Sequence, residues 1–373
     1  MHLGIEASRL LKDRRGIGRY VRNVLQGIAS LAPGMPVTVF VRGAADIDAM
    51  RQLLVQLLEP PGNTTQPGLA ATWRIVPVSA LPFTAVDVVW YPWNFITTRT
   101  ARAAMVVSTL DLAPMWRFDH RWWKWPSRQL FRRRYLHTVR DASAILTISQ
   151  ASKAELVSVL HADPSRVHVT LLAADDLQIT AAEATAPLDR AGVTGAFFLT
   201  VGAQEARKNL SVVYDAMAQL HARGIRVPLV QCGPALSKQT QALHGTAPWL
   251  HHVGYVRDDE LITLYRRATA LVFPSRYEGF GLPVAEAMHV GGRVICANSS
   301  SLPEVAGDAA LYFAWDNATE LAAHMQRLLT DDTLRDTLTT RGAARAATWS
   351  WQQVAEQSLA VFTNAATRFP QRA

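Results

Sequence analysis

Two glutamates eight residues apart, Glu278 and Glu286, stand in the run F-P-S-R-Y-E-G-F-G-L-P-V-A-E-A-M at 273–288. The apolar run just before it, 270–273, predicts a buried strand; Gly279 and Gly281 then relax a loop, and Pro283 is suited to open a helix. Such a junction aims backbone N–H groups and the positive helix end at one spot, which suits an anion such as a pyrophosphate. A carboxylate is a poor partner for phosphate but accepts two hydrogen bonds from a vicinal diol. Glu278, in the loop, and Glu286, about one turn into the helix, do not share a helical face. They therefore address different parts of one extended ligand, a sugar at one end and a ribose at the other. Spacing alone leaves a second reading open, an acid at a helix N-terminus and a solvated Glu286, because Gly-rich strand-to-helix turns are common.

Cations for such an anion stand in two other glycine turns. Gly202-Ala203-Gln204-Glu205-Ala206-Arg207-Lys208-Asn209 lies between an apolar strand at 197–201 and a helix from Leu210. Asn209 suits an N-cap, and Arg207 and Lys208 sit where a bound phosphate would meet both charges and the helix end, although such a pair in a loop is ordinarily solvated. Nearer the start, D-R-R-G-I-G-R-Y at 13–20 joins a first strand at 2–7 to the amphipathic pattern Val21, Val24, Leu25, Ile28. Gly16 and Gly18 allow close backbone approach to a ligand, and Arg14, Arg15 and Arg19 make the turn cationic. A plain turn is the default for two glycines alone.

The E-G-F-G-L-P-V-A-E-A-M run, with its glutamates eight apart, resembles the signature of the retaining glycosyltransferases of family four. The G-x-x-x-x-R-K-N turn ending at Asn209, the turn Gly254-Tyr255-Val256 with its following helix, and Trp349-Ser350-Trp351 before a last helix are also similar to that family. The G-I-G-R-Y form of the first turn resembles bacterial members that build surface polysaccharides. The likeness spans nearly the whole chain, strongest at 202–307 and weakest at 32–82. It implies the GT-B fold: two Rossmann-like domains facing each other across a cleft that holds the active site, with a C-terminal helix crossing back onto the first.

By the same resemblance Arg207, Lys208 and Glu278 are the catalytic set, the two cations contacting the donor diphosphate and Glu278 the donor-sugar hydroxyls. Glu286 holds the ribose, the base rests against Gly254, Tyr255 and Val256, and Gly16, Gly18, Gly279, Phe280, Gly281 and Leu282 complete the donor site. The implied donor is a nucleotide-diphosphate sugar, GDP-mannose-like. The implied acceptor is a glycan or polyprenyl-linked glycan in polysaccharide assembly. No cofactor or metal is implied, and no carboxylate and His cluster of metal-ligand type is visible. The family's mechanism favours a same-face displacement, so no nucleophile is assigned. One departure stands at Leu110, in Leu110-Asp111-Leu112, where the family usually reads H-D-L. Leucine cannot hydrogen-bond a sugar's primary hydroxyl, which extends the expected donors to 6-deoxyhexoses; a plain core leucine, with the alignment shifted by a residue or two, is the other reading. A non-catalytic nucleotide-sugar-binding subunit of a membrane-associated complex is the alternative from another class.

The elements that must position these residues alternate between strands and helices. Strands are expected at 37–41, 73–78, 86–90, 105–109, 144–148 and 167–172, then again at 197–201, 227–231, near Val253 and at 270–273, with helices between: a mostly parallel α/β rhythm. A small-residue polar stretch at 180–187 separates an N-terminal domain, 1–180, from a C-terminal one, 187–349, with the last helix from about 350 returning to the first.

The 373 residues, 49% hydrophobic and 18% charged, suit two globular domains and exclude a disordered chain. Cys232 and Cys296 fall in expected strands, away from zinc spacing. No apolar run approaches the roughly 20 residues that cross a bilayer, and 1–8 lacks a signal-peptide core, which implies a cytoplasmic protein able to lie on the inner face of the cytoplasmic membrane. The net charge of +8 favours anionic partners. It concentrates at 114–140, where Trp116, Trp122, Trp123 and Trp125 are interleaved with seven Arg and one Lys, including Arg132 and Arg133, against the single acid Asp119. Trp beside Arg suits an anionic membrane surface or a lipid-linked acceptor. An ordinary helix with core Trp and solvated Arg is the other reading; no nucleic-acid module accompanies the run.

Overall fold

A computed structural model describes residues 1–13, 16–59, 68, 72–116, 125–178 and 184–369, with the backbone alone at 125, 126 and 239. The described residues divide into two compact units, one built from those within 1–116, 125–172 and 351–369, the other from those within 173–350.

In the first unit, short runs such as V-T-V-F-V and V-V-W-Y are buried along their whole length, the pattern of strands covered on both faces by helices. The described strands are β1 Leu3–Glu6, β2 Val37–Val41, β3 Arg74–Pro77, β4 Val88–Tyr91, β5 Ala104–Ser108, β6 Ala144–Thr147 and β7 Val167–Val169. They form a parallel sheet of order β3-β2-β1-β4-β5-β6-β7. The last strand is shorter than the expected 167–172. Thr170 N–H still reaches Thr147 O at 2.8 Å, and the ladder stops there.

The helices Ile17–Leu31 and Trp351–Arg368 pack together on this sheet. Tyr20 sets its ring edge-on to Trp90 at 5.8 Å, Phe362 lies 5.4 Å from Trp90, and Trp351 lies 6.5 Å from Tyr20. The polar tips of this aromatic group converge on Ser108 Oγ, which pairs with Tyr20 OH at 3.0 Å and accepts Trp90 Nε1–H at 2.8 Å. The helices cross at Gly27, where an added Cβ would stand 2.3 Å from Ala355 Cβ.

The second unit carries β8 Phe198–Val201, β9 Leu229–Cys232, β10 Leu250–Gly254, β11 Ala270–Phe273, β12 Val294–Ala297 and β13 Ala310–Phe313. They form a parallel sheet of order β10-β9-β8-β11-β12-β13. Cys232 and Cys296 are buried core residues. Each sheet reverses its strand order once, between β1 and β4 and between β8 and β11. In open α/β sheets such a reversal opens a crevice at the carboxyl ends of the two strands.

Gly27→Val is expected to cost about 1–3 kcal/mol by overpacking the crossing of the two helices, read as a lowered urea midpoint. An unchanged midpoint would mean that the helices do not approach so closely.

Candidate functional site

The reversal between β8 and β11 brings together loops more than 60 residues apart in sequence, 202–209 after β8 and 274–281 after β11. Neighbouring strand ends are laced by glycines: Gly202 N–H donates to Cys232 O at 3.0 Å and Gly233 N–H to Gly254 O at 2.9 Å. Gly233, at φ 143°, leaves no room for a side chain, since an added Cβ would stand 2.5 Å from Gly202 O.

Arg207 and Lys208 lie on the short 3-10 turn Ala206–Lys208 and point across to the other loop. Lys208 Nζ stands 2.6 Å from Glu278 Oε1 and Arg207 Nη1 3.0 Å from Glu278 Oε2, so each carboxylate oxygen takes one cation. Arg207 Nε also meets Glu205 at 2.8 Å. The side chains of Glu278, Lys208 and Arg207 are only 10%, 14% and 23% exposed, so this is not the solvated pair that a loop position suggests. Burial pushes the Glu278 carboxyl up, but Lys208 and then Arg207 pull it further down, and its pKa lies below the ordinary glutamate value.

The two loops are fixed by their backbones. Arg276 N–H donates to Arg207 O at 2.8 Å, Glu278 N–H to Ser300 Oγ at 2.9 Å, and Ser301 Oγ–H to the carbonyls of Glu278 and Phe280 at 3.0 and 2.8 Å. Asn209 does not cap the helix Leu210–Ala222 with its side chain, contrary to expectation. Its backbone is left-handed (φ 55°), which turns the amide toward the neighbouring loops. Nδ2 donates to Pro274 O at 3.2 Å and Trp315 O at 2.6 Å, while Oδ1 accepts Arg276 Nε–H at 3.0 Å.

Gly281, at φ 103°, precedes the helix Leu282–His289; Gly279 and Phe280 are buried and Leu282 is half-buried. Glu286 sits on this helix at 6% exposure, so the solvated alternative does not hold. Tyr265 OH donates to its Oε2 at 2.8 Å. Tyr265 carries no sequence signal of this role, because it falls on the apolar face of the helix Asp258–Arg267 and reads as core. Ser300 and Ser301 carry no sequence signal either. Gly254 ends β10 at φ 73°, followed by an exposed Tyr255 and a half-buried Val256.

In the first unit, Gly16 (φ 54°) precedes the helix Ile17–Leu31, and Gly18 is buried so tightly that an added Cβ would stand 1.9 Å from Asp13 O. Arg22 holds this turn, donating to Asp13 O at 2.7 Å and Leu10 O at 2.8 Å. Arg14, Arg15, Trp122 and Trp123 lie outside the described residues. Leu110 is buried, its N–H bound to Asn94 Oδ1 at 2.8 Å and its carbonyl accepting Ser152 Oγ–H at 3.1 Å. The helix Trp125–Asp141 buries Tyr135, Thr138 and Val139 and exposes Leu130, Arg132, Arg133, His137 and Arg140. Among the described residues no group of three or more His, Cys, Asp or Glu could hold a metal ion, and no helix is long and apolar enough to cross a membrane.

The family models for Glycosyltransferase Family 4 and for Glycosyl transferases group 1 match residues 14–175 and 190–345. The chain carries the two glycosyltransferase domains, family 4 and group 1. O-antigen chain mannosyltransferase B of Escherichia coli is 35% identical over 236 residues, 60% of this chain and 61% of that protein. The MMP alpha-(1->4)-mannosyltransferase of Mycolicibacterium hassiacum is 30% identical over 263 residues, 66% of this chain and 61% of that protein. The matches thus span about three fifths of the length of these relatives. Among solved structures, sucrose-phosphate synthase from Thermosynechococcus elongatus (TM-score 0.70, 17% identity) covers 98% of both chains. Anabaena HepE in complex with UDP-glucose (TM-score 0.72, 16% identity) covers 97% of this chain and 99% of its own. At such identity the likeness is one of fold, and that fold is GT-B.

The depressed Glu278 pKa fixes the sign of a pH effect. Its pairing stabilises the fold above the unfolded value of about 4.5 and is lost as pH falls through the lower folded value. Between about pH 6 and pH 3, the stability advantage of the natural chain over Glu278→Gln should shrink. A difference independent of pH in urea titrations would refute the pairing.

Proposed function

We propose that the protein is a retaining, metal-independent glycosyltransferase that moves a hexose, mannose or its 6-deoxy relative, from a nucleoside diphosphate to a glycan or polyprenyl-linked acceptor in surface polysaccharide assembly. The observation that carries this is the convergence of Arg207, Lys208 and Glu278 where the strand order reverses between β8 and β11. Two cations held by the fold can offset the charge that develops on a departing diphosphate. Glu286, oriented by Tyr265, offers the carboxylate for a ribose diol. The turn Gly254-Tyr255-Val256 supplies backbone for a base. Mannose is favoured because both relatives named above are mannosyltransferases.

Incubating the purified protein with GDP- and UDP-hexoses and a polyprenyl-linked glycan, and weighing the lipid product by mass spectrometry, tests the proposal. A nucleotide sugar that binds but is neither transferred nor hydrolysed would favour a non-catalytic sugar-nucleotide subunit. Arg207→Ala with Lys208→Ala should lower turnover on the order of 100-fold, as loss of preorganised charge does at other sites. It should be assayed where circular dichroism shows the variant folded; unchanged turnover would remove the two cations from the chemistry.

The outer face of the helix Trp125–Asp141 supports contact with an anionic membrane: Arg132, Arg133 and Arg140 are exposed beside an exposed Leu130. Trp122 and Trp123 just before it would add indole anchors. Co-sedimentation with vesicles rich in anionic lipid should fall as salt rises and fall further in Arg132→Gln with Arg133→Gln. Equal sedimentation with neutral and anionic vesicles would leave the helix as an ordinary solvated face.

A further inference from the structure

We infer that Glu278 makes this site prefer the sugar-bearing donor over the free nucleoside diphosphate left after transfer, because it is the counter-ion of the same two cations that the diphosphate needs. The inference deepens the proposed function and rests on Arg207 and Lys208 as the diphosphate ligands.

Both oxygens of Glu278 are engaged, one with each cation, at 2.6 and 3.0 Å. Glu205 supplies a second carboxylate to Arg207, at 2.8 Å. Two cations thus face two carboxylates, and the group presents no excess positive charge to a phosphate. Arg276, two residues before Glu278, donates to Asn209 Oδ1 and lies 4.3 Å from the Trp315 ring, so it is directed elsewhere. Nor can Glu278 withdraw with its backbone. Its N–H is bound by Ser300 and its carbonyl by Ser301, and Gly281 beyond it is packed against Leu302 at 2.6 Å from where a Cβ would stand. A diphosphate that reaches Lys208 and Arg207 must share them with a carboxylate that stays close, and like charges repel strongly where water is scarce.

A donor sugar changes this balance. Its hydroxyls donate hydrogen bonds to the carboxylate and replace what the cations give up to phosphate. A free nucleoside diphosphate brings no hydroxyl there and carries a further negative charge on its terminal phosphate. Glu278 accordingly favours the donor and expels the product, whereas a neutral residue of the same shape would hold both.

Calorimetric titration of the natural chain, Glu278→Gln and Glu278→Asp with inorganic pyrophosphate, UDP, GDP and their hexose conjugates tests the inference. Glu278→Gln should bind pyrophosphate and the free nucleoside diphosphates roughly tenfold more tightly than the natural chain, a typical size for coupling between neighbouring charges. That gain should shrink as salt rises, and the nucleotide sugars should gain less or lose affinity. Glu278→Asp, which keeps the charge, should bind pyrophosphate like the natural chain. The Gln variant should melt lower, with the Glu278 charge taken from both cations, and pyrophosphate should raise its melting temperature by more than it raises that of the natural chain. Equal or weaker pyrophosphate binding by a folded Gln variant, or none by any of the three proteins, overturns the inference. Tighter pyrophosphate binding by the Gln variant, with no nucleotide sugar bound by any protein, would sustain the ion competition and sink the glycosyltransferase reading instead.

Discussion

The second unit depends on one arrangement of charge, a glutamate whose two oxygens are each held by a cation from another loop. Removing such groups from water costs on the order of several kcal/mol per ion, which pairing restores only when the geometry is good. A core of the same volume filled with apolar side chains would serve stability as well or better. Ions kept at this depth, at the carboxyl end of a parallel sheet, are therefore better understood through what they can bind. Much of the surrounding bonding, from Asn209, Ser300 and Ser301, holds the two loops in register so that the three side chains meet.

Parallel topology places them there. A parallel sheet needs a crossover after every strand, so each carboxyl end carries a loop leading into a helix, and only where the strand order reverses do two such loops diverge and leave space. The loops after β8 and β11 flank that place in the second unit. The loops after β1 and β4 flank its counterpart in the first, where the Gly16 turn is held by Arg22 and Trp93 Nε1–H reaches Asp13 at 3.5 Å. Each crevice rests on its own packed sheet. In the first unit the aromatic group around Ser108 ties the helix Trp351–Arg368 onto the strands beneath the glycine turn.

By itself the sequence determined the period and order of the elements. Val37–Val41 and Ala270–Phe273 are strands where the apolar runs predict them, because burial on both faces of a parallel sheet leaves an unbroken apolar signature. It also placed Glu278 in a loop and Glu286 on a helix, since glycine and Pro283 act on the backbone locally. Only the tertiary structure decided what these side chains meet. Nothing near Arg207 in sequence announces a carboxylate 71 residues away, and the two face each other because β8 and β11 are neighbours in the sheet. Asn209 reads as a helix cap by local preference and acts as a clamp between loops, because its left-handed backbone aims the amide away from the helix. Tyr265 reads as core and is core, yet its hydroxyl orients Glu286. Local propensity acts through the backbone within a few residues, whereas pairing between distant side chains follows from which strands lie side by side, and that is settled only when the sheet assembles.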